Sequence, residues 1–325
     1  HAQGKVVIFD TDDLVFEPTM TQWHRGVARL AAPEQALYAD GVRRYLATLE
    51  ASDYVLTASP LLAELAQRRG KTAFVHRNAV GREMQAWAEQ LWTQRQQRNG
   101  TSGAPAKVVI GYGSGTPTHD VDFAEAAPAL LDVMARHPQV ELWLVGPLQT
   151  PPMLEVFATR IRRFPLGDWR RWFELASTFD INLAPLEMGN IFCQAKSEIK
   201  FVEAGLFGVA TVASRIAPFV AAITPGQDGL LAGNVAAWID ALELLISQPA
   251  LRKAMGEAAR RTVEARYGLA ARAADLATLL ATIQRPAARL RPAAPDESTS
   301  LSKLAPLTID ARQAEDEFVP LVLNW

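Results

Sequence analysis

Residues 190–214 read NIFCQAKSEIKFVEAGLFGVATVAS, and they gather side chains suited to one kind of ligand. Lys196 and Lys200 are four apart, and Lys200 and Glu203 are three apart. On a helix those spacings share one face, so a helix carrying all three, with Ser197 beside them, is expected here. Two ammonium groups complement a diphosphate, and one carboxylate can accept hydrogen bonds from two vicinal hydroxyls such as those of a ribose. The same spacing also suits an ordinary solvated charged face, and spacing alone does not separate the two readings. A glycine-bounded apolar strand at 209–213 follows and ends on Ser214.

Such a cluster works only if the surrounding elements carry it to the edge of a sheet. Short apolar runs predict strands at 6–9, 53–58 and 71–76. Helices are expected at 20–51 (broken near Pro33), at 61–69 capped by Ser59, and at 82–98. Residues 99–105, rich in Gly, Ser and Pro, mark a domain boundary. Beyond it the rhythm restarts, with strands at 107–112, 140–145, 181–184 and 209–213 and a turn with a short strand at 226–231. Helices are expected around 127–134, 169–177, 235–247 and 250–266. This alternation gives an α/β fold of parallel sheets flanked by helices. Ligands in such folds bind beyond the carboxyl ends of the strands. Gly113, Ser114 and Gly115 fall at such an end, where backbone amides would approach a diphosphate closely. His119 follows as a donor to the same oxygens.

A chain of 325 residues exceeds a single core, so two domains are expected. They are placed at 1–104 and 105–285, with 286–325 as a linker, a tail or the start of a further module. The balance of 33 basic and 35 acidic residues argues against nucleic acid as a partner. Cys193 is the one cysteine, which excludes an internal disulfide, fits a reducing compartment and reads as a buried thiol. No apolar run approaches the roughly 18 residues of a membrane span, so a cytoplasmic protein is expected.

Taken in order, the second segment resembles the donor-binding domain of group 1 glycosyltransferases with the GT-B fold. The matching pieces are IGYGSG at 110–115, LWLVG at 142–146, DINLAPL at 180–186, IKFVEAG at 199–205, GVATVAS at 208–214, TPGQDGL at 224–230 and MGEAAR at 255–260. The first segment, with FDTDDL at 9–14 and VHRN at 75–78, is similar to the latter part of the acceptor-side domain in a bacterial branch of that family. The resemblance implies two Rossmann-like domains, the first incomplete. It also implies transfer of a sugar from a nucleoside diphosphate to a glycan or lipid-linked acceptor, with retention, without a metal or cofactor, and with peripheral membrane contact. It assigns Glu203 to the donor ribose, and Lys196, Ser197 and Lys200 to the diphosphate, where the lysines stabilise the leaving group. One position departs from the family. Where many relatives have a sugar-facing glutamate eight residues before Glu203, this chain has Ala195, and Glu187 or Glu198 would have to compensate.

Two other readings compete. Asp10 and Asp12, in Asp-x-Asp after a strand, could be the nucleophile and acid/base of a haloacid-dehalogenase-type phosphatase with Mg²⁺, or could bind a metal as in the other glycosyltransferase fold. Turn capping is the plainer role for Asp10, Asp12 and Asp13. The second reading is a non-catalytic module that binds a nucleotide sugar. Trp169 and Trp172, near Arg162, Arg163, Arg170 and Arg171, make a basic-aromatic cluster that reads as a packed helix or a membrane-leaning surface.

Overall fold

The computed structural model describes residues 5–99, 107–116 and 119–283. Its first unit is a three-stranded parallel sheet, β1 (Ile8–Thr11), β2 (Tyr54–Thr57) and β3 (Thr72–Val75), in that order. Two 3-10 segments, Pro18–Trp23 and Val27–Arg29, lead into α1 (Ala32–Ala51). The expected helix from residue 20 therefore begins only at 32. Pro33 starts it rather than breaking it, because the first turn needs no proline N–H. Ser59 caps α2 (Pro60–Arg68) as expected, its hydroxyl accepting from the Leu62 amide.

After α3 (Arg82–Asn99) comes a six-stranded parallel sheet. Its strands are β4 (Val108–Gly113), β5 (Val140–Val145), β6 (Ile161–Phe164), β7 (Ile181–Ala184), β8 (Ala210–Ser214) and β9 (Leu230–Ala232). The spatial order β6-β5-β4-β7-β8-β9 is that of a dinucleotide-binding sheet. The chain winds outward first to one side of β4 and then to the other. The gap between β4 and β7 is thus the switch point at which such sheets open a crevice.

Strand alternation divides the core. Val108, Ile110 and Tyr112 point to one face, against α5 (Ala127–Arg136), which follows the short α4 (Asp120–Ala124), and α10 (Val235–Ser247), which follows the short α9 (Ala217–Ala222). On the other face β4 presents Gly111 and Gly113, and aromatic rings fill the space. A Cβ at Gly111 would lie 2.1 Å from the Phe179 ring, and one at Gly113 would lie 2.4 Å from the Trp172 indole. That face is covered by α6 (Trp169–Ala176), α8 (Ile199–Leu206) and α11 (Pro249–Tyr267), with α3 from the first unit packed alongside. α12 (Leu269–Thr282) returns to the first unit, where Asp275 meets His76 at 3.0 Å.

Strand β6 was not expected. IRRF carries two arginines and sits at the sheet edge, so it lacks the apolar signature of a central strand. Alternation along this strand puts Arg162 on the face of Trp143 and turns Arg163 toward Leu148 and Thr150, so the two arginines do not share one face. Arg162 pairs with Glu141, and Arg170 lies 4.3 Å over Trp169. Among the described residues no helix is long and apolar enough to cross a membrane. Apart from Asn99, the expected boundary at 99–105 lies outside the described residues, as does the tail 286–325.

Helix α11 seats on the sheet backbone to backbone. Gly208 has φ +64°, and a Cβ on Gly256 of α11 would lie 2.0 Å from the Gly208 carbonyl oxygen. Gly256→Ala must push α11 off the sheet. It is expected to destabilise the protein by about 1–3 kcal/mol, seen as a lower urea midpoint at unchanged m-value. An unchanged midpoint would show that α11 is not seated there.

Candidate active site

The carboxyl ends of the two sheets face each other across a cavity of about 310 Å³. From the first unit come Asp10, Thr11, Asp12 and Asp13. From the second come Gly115, His119, Leu186, Lys196, Ser197 and Lys200. Strand ends explain these positions. β1 runs into Asp12 and Asp13, β4 into Gly115, and β7 into Leu186. Ser214 at the end of β8 fixes the Leu186 turn, donating to its carbonyl and accepting from its amide, both at 2.8 Å.

Lys196 and Ser197 do not share the helix with Lys200 and Glu203. A short helix, α7 (Ile191–Gln194), ends before them, and α8 begins at Ile199, so both lie in the turn between. That turn is held by the first unit. Ser59 Oγ donates to the Ala195 carbonyl at 2.7 Å, Asn78 Nδ2 donates to Ser197 Oγ at 3.3 Å, and Arg77 pairs with Glu198. Ala195 and Phe192 are buried in the first unit's core. Lys196 reaches the cavity with its ammonium 5.2 Å over the Phe192 ring, and among the described residues it makes no ion pair.

Lys200 sits deeper. Its Nζ donates to the Gly113 carbonyl at 2.6 Å and lies 4.9 Å over the Tyr112 ring. Burial pulls its pKa down to about 8; Glu203 opposes that fall and Lys196 adds to it. Asn182 anchors the helix from below, its amide donating to the Lys200 carbonyl and to Thr211 Oγ1.

Glu203 departs from the expectation. It is buried, does not line the cavity, and accepts a 2.9 Å hydrogen bond from Trp172 Nε1. Burial raises its pKa against the pull of Trp172 and Lys200. The Trp172 indole thus covers Glu203 while also filling the space above Gly113. The same contact corrects the role of Gly113, whose missing side chain makes room for an indole. Ser114 is also spoken for. Its amide donates to the Val145 carbonyl and its hydroxyl to the Thr116 carbonyl, so of the three loop residues only Gly115 lines the cavity.

His119 is not a cationic donor. Its Nδ1 meets Asp122 Oδ2 at 2.8 Å, and burial pushes the ring pKa down to about 4, with Asp122 resisting and both lysines assisting. Asp122, missed in the sequence although it sits three residues on, also accepts from the Glu187 amide and from Cys193 Sγ. Neither glutamate that could compensate for Ala195 lines the cavity. Glu187 pairs with Arg25, and Glu198 is buried against Arg77 and the Tyr267 hydroxyl. Cys193 is buried, and desolvation raises its pKa. On the opposite wall burial raises Asp10 and Asp12. Asp13 caps its own turn, accepting from the Leu14 amide at 2.8 Å. Among the described residues no three His, Cys, Asp or Glu side chains are placed to hold a metal ion.

Residues 128–278 match a family model described as glycosyl transferase-like. The structure is similar to Anabaena HepE in complex with UDP-glucose, at 14% identity and a TM-score of 0.56 over 86% of this chain and 73% of that one. It is similar to sucrose-phosphate synthase from Thermosynechococcus elongatus, at 17% identity and a TM-score of 0.56 over 84% and 67%. A glycosyltransferase from Rickettsia africae gives 15% identity and a TM-score of 0.54 over 84% and 69%. These likenesses show the fold, GT-B, with two Rossmann-like domains. No curated protein matches the sequence.

The seal over Glu203 has a measurable consequence. Trp172→Phe keeps a ring above Gly113 but removes the donor to a buried carboxylate, a loss of about 1–3 kcal/mol. Urea unfolding of Trp172→Phe, and of Trp172→Phe with Glu203→Leu, reads it. The second change is expected to lower stability further, because it also removes the carboxylate that supports the buried Lys200 ammonium. Full stability in Trp172→Phe alone would mean that Glu203 is reached by water.

Proposed function

We propose that this chain, which carries a glycosyl transferase-like domain over residues 128–278 within a GT-B fold, transfers a sugar from a nucleoside diphosphate to a hydroxyl of a bacterial glycan or lipid-linked acceptor. One observation carries the reading. The cavity at the β4–β7 switch point has two lysines on one wall and the aspartates of β1 on the other.

Breaking the bond between the anomeric carbon and the diphosphate leaves negative charge on the departing phosphate. Lys196 and Lys200 are fixed before the reaction where that charge develops, and a preorganised cation in a partly dry cleft stabilises it strongly. The charge a metal would neutralise is carried by these two ammonium groups, so the transfer is proposed to be metal-independent. Gly115 and Ser197 border the same space and offer small polar contacts to the phosphates. The acceptor enters from the side of Asp10 and Asp12, whose carboxylates accept hydrogen bonds from sugar hydroxyls. Retention of configuration is part of the proposal and is supported by the resemblance of residues 107–283 to group 1 enzymes. HepE was crystallised with UDP-glucose, which makes uridine the first base to test. Glu203 takes the ribose hydroxyls in this proposal only if Trp172 moves aside.

Calorimetry with UDP, GDP and dTDP tests the lysines. Lys196→Ala is expected to weaken the diphosphate that binds by about 1.5–3 kcal/mol, as for a lost charged hydrogen bond. Lys200 adds a pH signature. Its ammonium is the binding form and its pKa lies near 8, so affinity should be level below pH 7. Above pH 8 it should fall toward tenfold per unit. Lys200→Arg should abolish that fall, because arginine stays charged. A flat wild-type profile to pH 9.5, or normal binding by Lys196→Ala, would contradict the assignment. Transfer that survives EDTA, and an anomeric proton of the product with the donor's configuration by NMR, would bear out the remaining claims.

A further inference from the structure

The charges in the cavity leave one group out of place. Every other polar side chain on the second unit's wall is a donor to phosphate: Lys196, Ser197 and Lys200. His119 stands among them, yet its Nδ1 is committed to Asp122 at 2.8 Å. Asp122 is ionised, buried, and held by the Glu187 amide at 3.0 Å and Cys193 Sγ at 3.3 Å, so it does not rotate away. A carboxylate accepts only, so the proton between them belongs to Nδ1. The other nitrogen, Nε2, therefore carries a lone pair, and among the described residues it has no hydrogen-bond partner. Such a nitrogen repels a phosphate oxygen and needs a donor. The donor it fits is a hydroxyl.

We propose that His119 Nε2, oriented by Asp122, accepts a hydrogen bond from a hydroxyl of the transferred sugar and so helps to select the glycosyl group. The proposal rests on the glycosyltransferase reading above. Placement favours the transferred sugar over the acceptor. His119 lines the wall that holds both lysines and Gly115, beside which a sugar joined to the diphosphate must lie, whereas the acceptor side is the wall of Asp10 and Asp12. The role also meets a need. Position 195 is an alanine buried in the first unit's core, and Glu187 and Glu198 are occupied by Arg25 and Arg77. The charged groups around His119 act in the same direction. Lys196 from the turn before α8 and Lys200 from α8 both disfavour a protonated ring, and burial does so more strongly.

The test compares free diphosphates with their sugar conjugates by calorimetry: UDP, GDP and dTDP against the matching hexose conjugates. For the pair that binds wild type best, His119→Ala is expected to weaken the sugar conjugate by about 5- to 10-fold, the size of one lost neutral hydrogen bond. Binding of the free diphosphate should stay within about twofold on the same basis. Asp122→Asn can donate to Nδ1 and so places the proton on Nε2. A sugar hydroxyl can also accept from Nε2–H, so this variant should weaken the conjugate less than His119→Ala does, without weakening the free diphosphate. Nitrogen-15 NMR of the wild type between pH 6 and 8 should find a neutral ring with its proton on Nδ1, a readout that does not depend on either variant folding. Equal weakening of both ligands would make His119 a phosphate contact and overturn the proposal. So would unchanged binding of the conjugate, or a ring protonated on Nε2. Failure of wild type to bind any of the ligands would overturn the glycosyltransferase reading, and this inference with it.

Discussion

A buried lysine ammonium must be compensated or it loses its proton, and the second unit is organised around that requirement at Lys200. Its charge meets the Gly113 carbonyl, the face of Tyr112 and the carboxylate of Glu203 one turn along. Each partner places a demand on its own surroundings. Gly113 must end β4 beside the switch point. Tyr112 must point away from the aromatic face, which strand alternation achieves. Glu203 must be kept dry, and Trp172 does this by lying over Gly113, where no side chain obstructs it. Asn182 secures the backbone of helix α8 to the sheet, and the buried Phe201, Val202, Ala204 and Leu206 hold the helix in place. What remains of the ammonium's need for an anion is open toward the cavity.

The two units meet where the chemistry would occur. The turn 195–198 takes contacts from the first unit at Ala195, Ser197 and Glu198, and the same turn presents Lys196 to the cavity. Moving one unit relative to the other would therefore displace Lys196, while Lys200 is secured within the second unit alone. The cavity thus contains one cation tied to the relation between units and one tied to a single sheet.

Much of this architecture was legible in the residues. The runs at 140–145 and 181–184 are mostly apolar, interrupted once each by Glu141 and Asn182, and both form strands where expected. Lys196, Ser197, Lys200, Gly115 and His119 all reach one cavity. What was not legible depended on tertiary contacts. The break between α7 and α8 is imposed by Ser59, Arg77 and Asn78, more than a hundred residues away. Gly113 invites the reading of close approach by a ligand, yet the close approach is by Trp172, and local sequence cannot tell these causes apart. His119 looked like a donor until Asp122 was seen to hold its other nitrogen, a pairing only three residues long but dependent on burial for its effect.

The proposed chemistry depends on where a diphosphate lies. A crystal structure with UDP, or with whichever nucleoside diphosphate binds best, measures this directly. The diphosphate is expected at the β4–β7 switch point, with its oxygens within hydrogen-bond distance of Lys196 Nζ and beside Gly115. The aspartates of β1 should remain on the far side. A nucleotide bound elsewhere, or seated against Asp10 and Asp12 with both lysines unengaged, would contradict it.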